Sequence, residues 1–387
     1  MALPITYNIR NVLVRWRSTL ATILGIALVV AVYMMVQALA VGLQQNSANT
    51  GDERNLLIVR KGSTAESSSQ VTREQLQLLK FVEGIDKDAK GQPLISADVL
   101  VLINLPRKEG RGEANVLVRG VSPAGLELRP QVKLVEGRWL SPGKREVVAS
   151  KRLAGRFAQL QIGDKFKTAG QELTVVGWLE AGKSAFDSEI WMDADEARSV
   201  FDREFYSTVL ARVSNAAAAA AITNRLETDK RLPLRGLRET DYYKSQTMTA
   251  TPIRFLGNFL ATAMSVGAIF AAMNTMYASV GARTREVGTL RVLGYRRRTV
   301  LLSFLLEGAF LSLLGGILGC LLSLPMNGYS TGTLSFENFS EVVFDFSITP
   351  ALIMKGLIFS VIVGLIGSLF PALRAARLPV IASLKSL

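Results

Sequence analysis

Asp187, Glu189, Asp193, Asp195 and Glu196 put five carboxylates within ten residues, a set that could bind calcium or divide into a general acid and a general base. Their spacing is not that of an EF-hand, and acidic residues ahead of a helix ordinarily cap its N-terminus, so a structural role is expected. The stretch GRWLSPGK, from Gly137 to Lys144, raises nucleotide chemistry. Five residues separate its glycines where a phosphate-binding loop has four, and Arg145 stands where a Ser or Thr would hold magnesium. It reads as a turn. The chain has no histidine and a single cysteine, Cys320, which removes His-based triads and general bases, Cys/His zinc sites and a disulfide framework. No catalytic residue, no metal site and no directly bound cofactor is expected.

A different kind of candidate is REVGTLRVLGYRRRTV, Arg285 to Val300, with five arginines and one glutamate between two long apolar segments. As a helix it places Val287, Leu290 and Gly294 at i, i+3 and i+7, a modest apolar face that a partner's groove could hold. Arg285, Glu286 and Arg291 would form the rim, and Gly294 would let the chain leave helical geometry.

The elements around this stretch are membrane spans. Crossing a hydrocarbon core of about 30 Å takes roughly 20 helical residues. Residues 19–43, 255–282, 300–325 and 351–370 meet that length in a chain that is 49% hydrophobic. The predicted fold class is an α-helical membrane protein with four transmembrane helices and a large α+β extracytoplasmic domain, residues 44–253, inserted between the first and second. A short extracytoplasmic loop, 326–350, joins the third and fourth spans.

Charge sets the orientation. The segment before the first span, the loop 283–298 and the tail 371–387 carry twelve basic residues against one acidic, whereas Glu337, Glu341 and Asp345 lie between the third and fourth spans. The positive-inside rule then puts both termini and residues 283–298 in the cytoplasm. Residues 1–18 place Ile5, Ile9, Val12 and Trp16 on one helical face, as expected of an interfacial helix on anionic lipid. The apolar run that follows is too long for the core of a signal peptide despite an A-x-A pattern at Ala38 to Ala40. Although the net charge is +13, residues 44–253 contain 31 basic and 27 acidic side chains, so the basicity is topological and nucleic acid is not an expected partner.

Within residues 44–253, NLLIVRKG and ANVLVRGVS read as strands, and Thr72 with Gln75 caps a helix. A strand, turn, strand and helix follow over QVKLVEGRWLSPGKREVVASKRLAGRF, then a hairpin turning near Ala169 and Gly170. Last come a strand, an alanine-rich helix and a strand.

Small residues at four-residue spacing mark close helix packing in lipid. Gly356, Ser360, Gly364 and Ser368 form such a row in the fourth span, and Gly308, Ser312 and Gly316 in the third. Their partner could lie within the chain or in a second copy; four spans are few for a transporter and favour a dimer. Of the intramembrane charges, Lys355 can snorkel. Glu307, toward the inner side, could hold a cytoplasmic arginine or stabilise the inner ends of the spans.

Taken in order, VEGRWLSPGKREVVASKRLA, IGDKFKTAGQELTVVGWL, REVGTLRVLGYRRRTVLLSFLLEGAFLSLLGGILG and PALRAARLPVIASL resemble the MacB/FtsX-type permeases of ABC transporters over nearly the whole chain. The resemblance implies a permease subunit of the bacterial inner membrane, paired with a second permease copy, identical or paralogous. It implies a separate cytoplasmic ABC ATPase that binds ATP and magnesium and docks on a coupling helix at 283–298. It further implies work transmitted to the outer domain, in export with a periplasmic membrane-fusion protein. A lipoprotein-releasing permease is the alternative within the family, and a membrane-tethered sensor the alternative outside it.

Overall fold

The computed structural model describes residues 16–110, 112–245, 250–335 and 339–379. The interfacial helix expected over residues 1–18 lies, through residue 15, outside them. The chain divides into two compact units, one made of Met1–Val41, Thr251–Tyr329 and Phe346–Leu387, the other of Gly42–Ala250 and Ser330–Asp345.

Helix α1, Trp16–Ala48, runs beyond the apolar run that ends at Leu43, and its last seven residues belong to the second unit. Its polar end is held: the Asn46 amide donates to the Ser184 carbonyl at 3.0 Å, and the Thr50 hydroxyl donates back to the Asn46 carbonyl at 2.8 Å.

The second unit is α+β. Its strands are β1 (Asn55–Arg60), β2 (Ile95–Pro106), β3 (Glu113–Val121), β4 (Lys133–Gly137), β5 (Glu146–Ser150), β6 (Lys165–Thr168), β7 (Gln171–Glu180), β8 (Glu189–Asp193), β9 (Thr208–Arg212) and β10 (Leu234–Arg238). Between them lie helices α2 (Arg73–Lys80), α3 (Pro123–Leu128), α4 (Lys151–Arg156), α5 (Ala194–Val200) and α6 (Ala216–Thr228), with α7 (Glu239–Ser245) last. One sheet runs in the order β10-β1-β9-β2-β3-β8-β5-β7-β4, with β6 on β7. β2 unites its halves, pairing with β9 over Ile95 to Asp98 and with β3 over Val99 to Pro106. β1 shows why NLLIV is unbroken: Leu56 and Ile58 enter one core and Leu57 and Val59 the other, so the sheet is buried on both faces. The Thr72 hydroxyl and the Gln75 side chain exchange hydrogen bonds with each other's backbone N–H at 3.2 and 3.0 Å, a complete capping box. Ala169 and Gly170 both take positive φ, 47° and 73°, as the two central residues of a tight β6–β7 turn require.

Polar residues inside this unit are collected around Arg119. Its guanidinium donates to Glu66 at 2.9 Å and to Glu189 at 2.7 and 2.8 Å, with Asp98 at 3.3 Å. Arg129, also fully buried, shares the same Asp98 oxygen at 2.6 Å. Such a network is costly to desolvate and destabilising to break. Burial pushes the Glu239 carboxyl up, against the opposing pull of Arg129 and Asn55.

The span between Pro325 and Pro350 is more than the short loop expected of it. It folds into a hairpin, β11 (Ser330–Leu334) with β12 (Glu341–Asp345), which belongs to the α+β unit. Polar β12 residues are buried there because cations of that unit receive them.

The first unit holds α8 (Ala250–Ala282), α9 (Thr284–Val292), α10 (Arg297–Ser323) and α11 (Pro350–Arg377) with most of α1. α1, α8, α10 and α11 are long and apolar enough to cross a membrane. α11 continues beyond Phe370, with Pro371, Ala372, Ala375 and Ala376 buried, so the first part of the expected tail is helical.

α10 and α11 meet along their rows of small residues. A Cβ on Gly308 would fall on Ser368, one on Gly316 on Ser360, and one on Gly364 on Ser312. Gly356 faces Met34 and Cys320. The serine hydroxyls are satisfied within their own helices, Ser368 by the Gly364 carbonyl and Ser360 by the Leu357 carbonyl, both at 2.8 Å. Close van der Waals contact therefore holds this seam. These seven residues pack against neighbours inside the chain, the first of the two partners left open for them.

Candidate functional site: the charged helix between the second and third spans

The sequence gives α9 what a short helix needs: Glu286 in its first turn, Arg291 in its last, and glycine just past its end. Gly294 has φ +89°; its N–H reaches the Arg291 carbonyl at 3.2 Å, and the Tyr295 N–H reaches the Leu290 carbonyl at 3.1 Å. This crossed pair closes the helix with a left-handed residue that any Cβ would strain.

One side of α9 is anchored. Val287, 3% exposed, enters a cluster with Met276 and Val280 of α8, Val300 and Phe304 of α10, and Ala372 and Ala375 of α11. Gly288 beside it is buried as well. At the entry to the helix, Arg283 grips Glu307 of α10 through two hydrogen bonds of 2.7 and 3.2 Å, both side chains almost fully buried, and its guanidinium lies 5.9 Å from the Phe304 ring centre. The start of α9 thus cannot swing without uncovering a charge.

The opposite side is bare. Arg285, Glu286, Thr289, Val292, Leu293 and Arg296 are exposed, Val292 by 61% and Leu293 by 69%. Positions 285, 289 and 292 follow i, i+4 and i+7, so they share one stripe, which Leu293 extends at the C-cap. Arg297 and Arg298 add two more exposed cations at the start of α10. Leu290 and Arg291 are half-buried at the border.

This reverses the expected polarity of the helix. Val287 was the residue expected to meet a partner, yet it is the anchor, because an apolar stripe at helical spacing packs first on the nearest apolar surface of its own chain. The apolar pair left exposed, Val292 and Leu293, escaped the sequence reading. Its signal was two consecutive apolar residues just before a capping glycine, where a packed stripe has room for one.

Three of the carboxylates from Asp187 to Glu196 have structural partners. Asp187 accepts from the Ala181 and Lys183 N–H groups at 2.6 and 2.8 Å, Glu189 belongs to the Arg119 network, and Asp193 caps α5 through Asp195 and Glu196 N–H groups at 3.1 Å. Among the described residues no cluster of three or more His, Cys, Asp or Glu could hold a metal. GRWLSPGK ends β4 and turns, with Arg138 paired to Glu146 at 2.7 and 2.6 Å; that pairing holds the Glu146 carboxyl down at about 2.

Comparison with known proteins places these features. Residues 19–229 match the MacB-like periplasmic core domain, and residues 258–380 match the FtsX-like permease C-terminal region. The chain is 24% identical to the uncharacterised ABC transporter permease YknZ of Bacillus subtilis, over 97% of this chain and 96% of that protein. It is 24% identical to the uncharacterised ABC transporter permease MJ1507 of Methanocaldococcus jannaschii, over 98% and 97%. Against the macrolide export ATP-binding/permease protein MacB of Pasteurella multocida the identity is 26%, covering 94% of this chain but 57% of that longer protein. Four spanning helices, an α+β unit inserted after the first, and both family matches in this order make the chain a multi-pass membrane protein that belongs to the MacB/FtsX-type ABC transporter permeases.

Proposed function

We propose that this chain is the membrane subunit of an exporter driven by a separate cytoplasmic ABC ATPase, and that the ATPase seats on the exposed stripe of α9. The observation that carries this reading is the two-sidedness of α9. One face is locked to three long helices and to Glu307, and the other offers Val292 and Leu293 among arginines. A partner pushing on such an element moves the spans with it. On this reading both termini and α9 are cytoplasmic, and the α+β unit and its hairpin lie outside the bacterial inner membrane. ATP and magnesium bind to the partner, and the α+β unit moves with the nucleotide cycle to pass cargo to a membrane-fusion protein.

A second permease copy completes the machine. Since the small-residue rows are occupied, α8 offers the surface: Phe255, Phe259 and Phe270 are 73, 60 and 63% exposed, and Asn274 stands exposed among them within the span. An amide in hydrocarbon gains by hydrogen-bonding to a partner helix. Copurification from the native membrane tests the central claim. An ABC ATPase should accompany the intact chain and dissociate when Val292 and Leu293 carry charge; a chain that purifies with no ATPase refutes it.

A further inference from the structure

The connection between the third and fourth spans is bound into the α+β unit by charge as well as by Val343, which enters that unit's apolar core. Glu341, 1% exposed, is met by Arg107 at 2.6 Å and by Arg156 at 2.6 and 3.0 Å. Asp345 receives both terminal nitrogens of Arg152 at 3.1 and 2.9 Å and Lys183 at 3.3 Å. Two carboxylates at the two ends of β12 are therefore held by four cations from β2–β3, α4 and the turn after β7. The backbone between them is held too: the Val343 N–H donates to the Ser188 hydroxyl at 2.8 Å, and the Val343 carbonyl accepts from Asn46, at the end of α1, at 3.3 Å. The closest approach is at Gly42, where a Cβ would fall on the Asp345 carbonyl oxygen.

A hairpin needs none of this to close a loop between two helices. Sixteen residues could make the turn in solvent, and a strand pair with no core of its own is marginal in water. What the arrangement adds is a fixed attachment. The chain passes between the two units four times, once with α1, once ahead of α8, and twice at the ends of this hairpin. Without the clamp, displacement of α10 and α11 would be absorbed by a loose loop.

We propose that Glu341 and Asp345, with Arg107, Arg152, Arg156 and Lys183, form an ionic clamp that makes the β11–β12 hairpin a force-bearing attachment of the third and fourth spans to the α+β unit. These are positioning residues, and the role rests on the reading above, in which the α+β unit moves with a nucleotide cycle.

The clamp itself is tested on the intact chain alone, in nanodiscs, by hydrogen–deuterium exchange. In Glu341→Gln/Asp345→Asn, which keeps side-chain volume, the β12 amides should exchange at least about tenfold faster than in the parent, the loss expected for charge-assisted hydrogen bonds. Unchanged protection overturns the clamp whatever the chain's function. The transmitting role is tested with the ATPase bound, by the nucleotide-dependent change in exchange across β1 to β10. That change should be lost in the double variant while ATPase binding persists; a full response with a loosened hairpin overturns the role. A parent complex with no nucleotide response overturns the exporter reading and the transmitting role with it, leaving the clamp judged by the first measurement. A second pair guards against misfolding. In a Cys320→Ala background, Ser330→Cys/Arg152→Cys removes two partners of Asp345, and a flexible bis-maleimide then reties the hairpin to α4. The response should be absent before bridging and restored after it; absence in both states refutes transmission through the hairpin.

Discussion

Replacing Val292 and Leu293 by alanine should weaken ATPase binding without loosening the permease. Fully burying a Val or Leu is worth about 1.5–3 kcal/mol. With 61% and 69% of these side chains bare, a partner covering both can gain roughly 2–4 kcal/mol. Alanine retains part of each side chain, so the double variant should lose about 1.4–2.8 kcal/mol, or ten- to a hundredfold in Kd. Leu293→Asp should cost more, since it also asks a carboxylate to lose water in the docked state. The control is Val287→Ala. That side chain is buried among three helices, so its truncation should lower permease stability by about 0.5–3 kcal/mol and leave any weakening of binding secondary to unfolding. Kd is measured by titrating the purified ATPase against the permease in nanodiscs, with stability followed separately by thermal unfolding. Should Val292→Ala/Leu293→Ala bind as tightly as the parent, the bare stripe of α9 is not the docking face. Should Val287→Ala lose binding at full stability, the two faces have been assigned the wrong way round.

Further outcomes are expected. Glu307→Ala removes the carboxylate that receives the buried Arg283 guanidinium and should destabilise the helical unit by about 3–5 kcal/mol; adding Arg283→Met should restore most of it, read as coupling in a double-mutant cycle by thermal unfolding. Gly364→Leu drives a side chain into Ser312 across the seam and should lower stability by about 1–3 kcal/mol or more, while Leu365→Ala, on the more exposed side, should have little effect in the same assay. Asn274→Leu should reduce site-specific cross-linking between copies through α8 at unchanged expression; cross-linking at the parent level would remove that surface from consideration. The Arg138–Glu146 pair lowers the folded-state pKa of Glu146 to about 2, so its contribution is present above the carboxyl's ordinary range and is lost as pH falls through about 2. Exchange at the turn before β5 should accordingly stay protected through pH 4 in the parent and become faster in Glu146→Gln already at neutral pH.

Local chemistry was legible where one short-range interaction decides the structure. Thr72 with Gln75, and Ala169 with Gly170, carry their geometry within a few residues, and so does the glycine that ends α9. The strands β2 and β8 were not legible. Ser96 and Asp98 in the first, and Glu189 in the second, are polar residues that enter a core only because Arg119 and Arg129 arrive from elsewhere in the sequence. The β11–β12 hairpin was hidden for the same reason, since its carboxylates Glu341 and Asp345 are received by cations more than 150 residues away. For the candidate site, the location of a charged helix between two spans could be read from composition, whereas its polarity could not. Which of two apolar stripes faces inward depends on where Met276, Phe304 and Ala372 stand, and no periodicity within nine residues contains that information.

The seam between α10 and α11 also fixes a register. Along it glycine always faces a larger neighbour: Gly308 opposite Ser368, Ser312 opposite Gly364, Gly316 opposite Ser360, and Cys320 opposite Gly356. A slip of one four-residue step, about 6 Å along the axis, would bring serine onto serine and leave glycine facing glycine across a void. Alternation of this kind acts like the teeth of a closed zip, permitting no small creep. The two helices therefore form a single rod, and on the exporter reading both feet of the hairpin that joins them receive the same displacement at the same moment.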